Sequence, residues 1–273
     1  IVTALAVTLA DDEEERITEM PTSDLTAYDY DQQGWWYYHQ LTPEANLQAR
    51  EMFAQAIALD PGYAKPYAGL GNTYYEAWVQ QWEDDPLGLD RGFANAMDAL
   101  ERDEDLLAAR ALLAHVYLWR GDHDAAIEEQ TKVVELAPGD AWAYRDLAEI
   151  LVFAGRAEEA IDLAKRAIKL NPNYDAAFPF TLGFAYVLSG EYKEGIAALA
   201  ESLEINPALQ PAHLLLAAAY YETGRPTEAA IQMSQALEFN PTLSLETFGA
   251  RLPFKDPADM DWATTILTQE GAP

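Results

Sequence analysis

The sequence predicts an all-α protein in which about six helix pairs stack as a solenoid. The first observation is a series of regularly spaced prolines that stop helices. From Pro138 through Pro172 and Pro207 to Pro241 the spacing is 34, 35 and 34 residues, and Asp60-Pro61 is a stop of the same kind. Proline lacks a backbone N–H and disfavours helical backbone in the residue before it, so each proline predicts a helix end. A period of this length indicates repeated units that pack on their neighbours.

The second observation is the pattern within one period, which is clearest in Ala141–Tyr174. Two short amphipathic stretches flank a turn at Gly155. In the second stretch Ala160, Ala164 and Ala167 recur at the spacing of one helix face. Small residues at these positions let two helices approach closely, so each period predicts a packed helix pair.

The recurring residues resemble the tetratricopeptide repeat (TPR) family. The pattern of that family is carried here by Tyr67, Leu70, Gly71 and Tyr74 in one helix, and by Ala49, Phe53, Ala56 and Pro61 in the helix before it. The resemblance implies a right-handed α-solenoid of six units in residues 27–242. The units are Ala27–Gly62, Ala64–Asp105, Leu107–Asp140, Ala141–Tyr174, Ala176–Leu209 and Gln210–Thr242.

Two units depart from the regular length. The first has three extra residues within His39–Asn46, where Thr42-Pro43-Glu44 predicts a helix start with Thr as cap and Pro at the first helical position. The second is about nine residues longer, with the insertion at 79–89. Insertions in solenoids often emerge on the functional face, and a simple spacer is the alternative interpretation.

The flanks predict helical segments outside the repeats. We expect residues 1–26 to form an N-terminal helical segment and residues 243–273 to form capping helices, since a terminal unit would otherwise expose its apolar side. Helices are predicted at Ser244–Leu252 and from Asp256-Pro257 to about Gln269. The chain begins at Ile1 without a Met, and we expect its N-terminus to be truncated. Ile1–Ala10 is apolar but too short to span a bilayer, so a truncated amphipathic helix is favoured over the tail of a signal peptide or membrane helix.

A narrower resemblance covers both ends of the chain. Residues 27–74 and 252–273 are similar to the TPR region found C-terminal in bacterial adenylate/guanylate cyclase-like and transcriptional-regulator-like multidomain proteins. This implies a scaffold or regulatory region of a larger, cytoplasmic bacterial protein. The cyclase catalytic domain is not in this chain, so the resemblance transfers none of its catalytic residues.

Composition limits the classes of partner. The formal charge is −29, from 46 acidic and 17 basic residues. Such a surface repels phosphate backbones and anionic lipids, which disfavours nucleic-acid binding and membrane binding by the repeats. It suits a basic or apolar protein segment, or it is simply a well-solvated acidic surface.

The residue pattern predicts neither an enzyme nor a metal or cofactor site. The chain has no cysteine, which excludes disulfides, thiolate zinc sites and cysteine nucleophiles. The four histidines fall in different units without metal-ligand spacing. The acidic run Glu83-Asp84-Asp85 with Asp90 in the insertion lacks the spacing of an EF-hand. Gly69-Leu70-Gly71 is interpreted as helix-packing glycine, since it lacks the flanking strand of a phosphate loop.

The resemblance also implies which residues face a partner, because the first helix of each TPR unit lines a concave groove. The predicted groove residues, mostly aromatic, are Tyr28, Trp35, Tyr38, Asn72, Tyr75, His115, Trp142, Arg145, Glu149, Phe180, Phe184 and Tyr221. Ala68 stands where the carboxylate clamp of chaperone-type TPR domains has lysine, so binding of acidic C-terminal peptides is disfavoured.

Two functions remain open from the sequence. A groove of exposed aromatics predicts a binding module for an extended peptide or a helix. The alternative is an oligomerisation module whose groove or terminal helices pair with another copy, or a groove covered by the N-terminal segment.

Overall fold

A computed structural model describes residues 21–239 and 252–260, and within them the protein is all-helical. The predicted helices of residues 1–20, of Ser244–Arg251 and beyond Met260 lie outside the described residues. The twelve α-helices that the structure describes are α1 Leu25–Tyr38, α2 Pro43–Leu59, α3 Ala64–Val79, α4 Gly88–Arg102, α5 Leu107–Trp119, α6 His123–Leu136, α7 Ala141–Phe153, α8 Ala157–Leu170, α9 Ala177–Leu188, α10 Tyr192–Ile205, α11 Gln210–Glu222 and α12 Pro226–Phe239.

The helices pack as sequential pairs, which confirms the predicted fold class of a TPR-like solenoid. Within the pairs α1 contacts α2, α3 contacts α4, α7 contacts α8, α9 contacts α10 and α11 contacts α12. First helices of successive pairs also touch, as α7 does with α9 and α9 with α11. The chain divides into two compact units, Ile1–Ala109 and Arg110–Pro273.

Four of the predicted stops end helices, and the fifth, Asn240-Pro241, lies outside the described residues. Asp60, Ala137, Asn171 and Asn206 are the C-terminal caps of α2, α6, α8 and α10, each directly before a proline. The start at Thr42 is also confirmed, because its side chain accepts a hydrogen bond from the backbone N–H of Ala45. Proline stops and side-chain caps therefore set these boundaries as the sequence predicts.

The core of the first unit is built around Phe53 on α2, which is fully buried. Its ring packs against Gly34 of α1 and Gly69 of α3, and a Cβ added at either glycine would lie about 2.5 or 2.4 Å from the ring. Trp35 meets the ring of Phe53 edge-on, with the two centroids 5.4 Å apart. Glycine at these positions lets α1 and α3 approach a large aromatic side chain.

The insertion in the first unit is a loop fixed by ion pairs. It runs between the end of α3 at Val79 and the start of α4 at Gly88. Arg50 Nη1 on α2 donates to both carboxylate oxygens of Glu83, at 3.1 and 3.2 Å. Asp85 pairs with Arg91 at 3.1 Å. Two of the acidic residues weighed for a cation site are thus neutralised by arginine.

The second unit packs alanine, leucine and aromatic side chains into a continuous core. Buried residues from α5 to α11 form its main cluster, among them Leu118, Leu151, Phe184, Leu199 and Leu216. Four turns between paired helices carry glycine at positive φ, at Gly121, Gly155, Gly190 and Gly224. No helix among the described residues is long and apolar enough to cross a membrane.

A short C-terminal stretch returns to this core. Residues 252–256 have no regular structure, and Pro257–Met260 form a 3₁₀ turn at the start predicted for the last helix. Leu252 and Phe254 pack against the main cluster. They also pack against the smaller cluster of Leu214, Ala217 and Met233.

Candidate peptide-binding groove

In the first unit Trp35 is tied to a buried carboxylate. Asp31, one helical turn earlier on α1, is completely buried. Its oxygens accept hydrogen bonds from Trp35 Nε1 at 3.1 Å and from the Tyr63 hydroxyl at 2.8 Å. Lys65 Nζ lies 3.2 Å from the same carboxylate. Trp35 is therefore a partly buried member of a polar network as well as a predicted groove residue.

Burial and the charge of Asp31 both act on Tyr63. Burial contributes most and the neighbouring Asp31 carboxylate adds to it, and together they raise the pKa of the Tyr63 hydroxyl far above its usual range. Tyr63 therefore keeps its proton and serves Asp31 as a donor. The cluster is held together as a structural anchor of the first unit.

The other predicted residues of the first unit are half-buried. Tyr38 meets the Trp35 ring edge-on at 5.5 Å, so these two aromatics lie together. Asn72 Nδ2 donates to the backbone oxygen of Ala68, at 2.9 Å, within its own helix. Tyr28 and Tyr75 are partly exposed on α1 and α3. The structure thus brings Trp35 and Tyr38 into contact.

In the second unit the predicted residues of α7 form a compact cluster. Trp142 is 45% exposed, and the Arg145 guanidinium lies 5.2 Å from its ring centroid. Phe178 also meets the indole edge-on, with the two ring centroids 4.9 Å apart. Arg145 pairs with Glu149 at 3.1 Å and also with Asp146. The structure therefore places an open indole next to a group of charged side chains.

Charge balance in this cluster centres on Arg145. Burial lowers its pKa, but the carboxylates of Asp146 and Glu149 outweigh that effect, and the net result is a raised pKa. Asp175 at the start of the next repeat acts in the same direction. Arg145 thus stays charged and screens the carboxylates from one another.

The same place contains a set of potential metal ligands. Ligand atoms of His115, Asp146 and Glu149 all lie within 4.8 Å of one another. However, both carboxylates already pair with the Arg145 guanidinium, and His115 Nδ1 lies 2.8 Å from the backbone oxygen of Ala111. Both carboxylates of this ligand set are therefore already engaged by a cation, the guanidinium of Arg145.

The predicted aromatics of α9 are largely covered. Phe180 and Phe184 stack with their centroids 6.0 Å apart. Phe184 is buried and contacts Phe153 at 5.3 Å and Phe254 at 6.0 Å. Half-buried Tyr221 on α11 packs against the cluster that also contacts Leu252 and Phe254.

Sequence reasoning missed three contributors to these surfaces. Asp146 and Asp175 belong to the acidic cluster, and the adjacency of Asp146 to Arg145 was a signal for it. Segment Leu252–Lys255 was interpreted only as part of the capping region. Its apolar, proline and aromatic composition beside a lysine was a signal for docking on an acidic, aromatic surface.

Comparison with known proteins agrees with this architecture. Three sequence profiles described as tetratricopeptide repeat match residues 105–173, 145–209 and 186–245, which together span just over half of the chain. The small glutamine-rich tetratricopeptide repeat-containing protein 2 of Mycosarcoma maydis is 34% identical over 108 residues, or 39% of this chain. The matched part spans 30% of that relative's length.

Solved structures share the fold. Cut9 with Hcn1, from the APC/C hetero-tetramer, aligns with a TM-score of 0.65 at 16% identity and covers 90% of this chain and 45% of that one. Pseudomonas aeruginosa pilF aligns with a TM-score of 0.61 at 16% identity, over 83% of this chain and 98% of its own. TTC0263, a thermophilic TPR protein of Thermus thermophilus, aligns at 0.54 and 25% identity over 72% of this chain and 99% of its own. With helix pairs, repeat period and sequence profiles in agreement, the chain belongs to the tetratricopeptide repeat family of protein–protein interaction modules.

Proposed function

We propose that this chain binds a segment of another protein along the first helices of its second unit, α5, α7, α9 and α11. The bound segment is an extended peptide or a helix that carries a basic residue next to an apolar one. The observation that carries the proposal is Trp142, an indole that is 45% exposed beside paired charges.

An exposed indole on a rigid helix is well suited to anchor a partner. Phe178 and Arg145 both contact the Trp142 ring, so little side-chain freedom is lost when a partner covers it. Tryptophan is enriched among residues that dominate binding energy, where truncation costs about 2 kcal/mol or more. Trp142 supplies the apolar half of the proposed recognition.

The acidic cluster supplies the charged half. Asp146, Glu149 and Asp175 surround a single arginine, and the whole chain carries a formal charge of −29. A basic residue of the partner adds favourable Coulomb energy here and is attracted from a distance. We therefore expect the association rate to fall as the salt concentration rises.

The test starts from peptides selected on the full chain from a displayed peptide library. Affinities of the best peptide are then measured by fluorescence anisotropy for wild type, Trp142→Ala and Trp36→Ala. We expect Trp142→Ala to weaken binding about 30-fold, the equivalent of about 2 kcal/mol. Trp36 is the matched control, because it is 64% exposed on α1 but was not predicted as a groove residue.

Two outcomes would contradict the proposal. One is unchanged affinity in the Trp142→Ala chain, and the other is an equal loss in both tryptophan variants. Sedimentation of the same proteins distinguishes the oligomerisation module. A dimer that Trp142→Ala dissociates would show that the groove pairs with another copy.

We also infer that the chain is a scaffold or regulatory region of a larger cytoplasmic bacterial protein. The support is the similarity of residues 27–74 and 252–273 to the TPR region of cyclase-like and regulator-like proteins. An antibody against this chain should detect a cellular polypeptide well above 30.3 kDa. A cellular product of that mass alone would contradict the inference.

A further inference from the structure

The described C-terminal stretch Leu252–Lys255, called here the LPFK segment, lies on the second unit as a bound peptide would. It contacts the last residue of α7, Phe184 within α9 and the first residue of α6, and it packs against α11 residues. Three of these four helices are first helices of consecutive repeats. The segment therefore crosses the side of the repeats on which the predicted groove residues Phe184 and Tyr221 are found.

Two hydrogen bonds hold the backbone of the segment. The backbone N–H of Lys255 donates to the carbonyl oxygen of Phe153, at 2.9 Å. That carbonyl is at the C-terminal end of α7, where the helix has no N–H of its own to offer. Nε2 of buried His123 lies 2.7 Å from the carbonyl oxygen of Pro253, and the Nε2–H tautomer donates to it. Both contacts use main-chain atoms, which any peptide in the same conformation possesses.

Side-chain selectivity comes from Phe254. Its ring centroid lies 5.0 Å from that of Phe153 and 6.0 Å from that of Phe184, with angles of 66° and 85° between the ring planes. Edge-to-face geometry at this separation is favourable between aromatic rings. The surface therefore selects an aromatic side chain at this point of the bound segment.

The basic residue after the aromatic also finds a partner. Lys255 Nζ lies 3.3 Å from Asp124, and the two side chains are 54% and 88% exposed. An ion pair this open contributes little affinity, but it tells a basic residue from an acidic one. The surface therefore matches a segment that carries an apolar residue, a proline, an aromatic residue and a basic residue, in that order.

We propose that this surface is a recognition site for partner segments of that order, and that the LPFK segment occupies it in cis until such a segment replaces it. The inference rests on the proposed function, since Phe184 belongs to the predicted groove. A tethered segment acts at an effective concentration on the order of millimolar, so it lowers the apparent affinity for a competing partner.

The test uses a fluorescent peptide of residues 251–260, RLPFKDPADM, titrated into the full chain and followed by anisotropy. The Phe254→Ala chain should bind it about 10-fold more tightly than wild type, because its own segment no longer competes. A peptide with the same Phe254→Ala change should bind neither chain. Circular dichroism shows whether the variant keeps its helix content. If it does not, Phe254→Leu, which keeps an apolar side chain but removes the edge-to-face contacts with Phe153 and Phe184, replaces it as the released chain.

A second experiment exchanges the charges at two exposed positions, Asp124 and Lys255. Asp124→Lys in the Phe254→Ala chain should weaken binding of the peptide, and a peptide carrying Lys255→Asp should recover the lost affinity. Equal affinity of wild type and the Phe254→Ala chain, or no peptide binding by a folded released chain, would overturn the proposal and make the segment a fixed cap. A wild-type dimer that Phe254→Ala dissociates would also overturn it, since the segment would then be exchanged between copies.

The two proposals fail separately. Library peptides that need Trp142 but bind wild type and the Phe254→Ala chain alike would leave the proposed function intact and end this inference. RLPFKDPADM binding that gains from Phe254→Ala, together with library peptides that bind wild type and Trp142→Ala alike, would support this site while contradicting the α7 anchor.

Discussion

The two units build the same kind of helix pair from different local chemistry. Turns in the second unit place Gly121, Gly155 and two further glycines at φ between 72° and 81°. In the first unit Leu41 and Gln81 occupy the left-handed region instead, at φ 50° and 56°. Glycine adopts that backbone without steric cost, whereas other residues do not. The regular unit therefore contains relaxed turns, and the irregular unit contains strained ones.

The two units also differ in their polar contacts. The first unit buries Asp31 with its donors and fastens its insertion through Arg50 and Glu83. The main core cluster of the second unit consists of apolar side chains such as Leu151 and Leu199. The matched family profiles begin at residue 105, near the start of the regular unit. The difference indicates that specific hydrogen bonds stabilise the first unit where repeat regularity does not.

The largest expected effect comes from removing the buried carboxylate. Asp31→Ala leaves Trp35 Nε1 and the Tyr63 hydroxyl without their acceptor, and we expect a loss of about 3 kcal/mol in the free energy of unfolding of the first unit. Urea denaturation gives the magnitude, and hydrogen exchange by mass spectrometry locates it. Asp29→Ala on the exposed side of the same helix is the matched control and should change stability by less than about 0.5 kcal/mol. Faster exchange in α9 and α11 instead of α1 would contradict the assignment.

The second-largest expected loss of stability comes from crowding the ring of Phe53. Gly34→Ala places a Cβ against a ring that Gly69 confines on its other side, so we expect a loss of about 2 kcal/mol. Phe53→Leu in the same chain should recover part of it, which a double-mutant cycle measures. Gly183→Ala in the second unit is the comparison. There the added Cβ would crowd the side chain of Leu199 and would also lie 3.1 Å from its backbone nitrogen. Since the backbone cannot be shortened, a smaller side chain at Leu199 should recover less of the lost stability. Equal recovery in both units would contradict this distinction.

The stability of the two units should also respond differently to alkaline pH. The pKa of Tyr63 is raised by burial first and by Asp31 second, so the folded chain keeps a proton that the unfolded chain releases above about pH 10. This contribution to stability is complete below that pH and is lost as the pH rises beyond it. Tyr63→Phe should cost about 1.5 kcal/mol at neutral pH by losing a bond to a carboxylate, yet its stability should fall less steeply above pH 10.

A tyrosine at the same repeat position supplies the control for that experiment. The Tyr174 hydroxyl donates to Glu201 at the surface, where water can replace the partner. Tyr174→Phe should therefore cost less than about 0.5 kcal/mol at neutral pH. Identical alkaline profiles for wild type and Tyr63→Phe would show that Tyr63 does not carry the effect.

Residue patterns predicted the helices well, because prolines and caps act locally. Asn171-Pro172 and Thr42-Pro43 fix their boundaries through their own backbone and side chains, whatever lies around them. Such local patterns do not predict contacts between residues that are far apart in the sequence. The Asp31–Tyr63 bond and the docking of Phe254 on Phe153 join parts of the chain that no periodicity relates. The groove residues stay a prediction, since a repeat pattern gives a position on a helix and not what covers it.

The smallest expected effect tests the turns directly. Leu41→Gly and Gln81→Gly relieve left-handed strain but add freedom to the unfolded chain, and we expect each to stabilise the first unit by about 1 kcal/mol. Gly121→Ala is the reverse change in the second unit. No described atom lies within 4 Å of the added Cβ, so its expected cost of about 1 kcal/mol reflects backbone strain alone. Urea midpoints of the three variants provide the measurement. If the glycine variants of the first unit were destabilised, Leu41 and Gln81 would be contributing side-chain contacts that outweigh their strain, and the contrast between relaxed and strained turns would not explain the difference between the units.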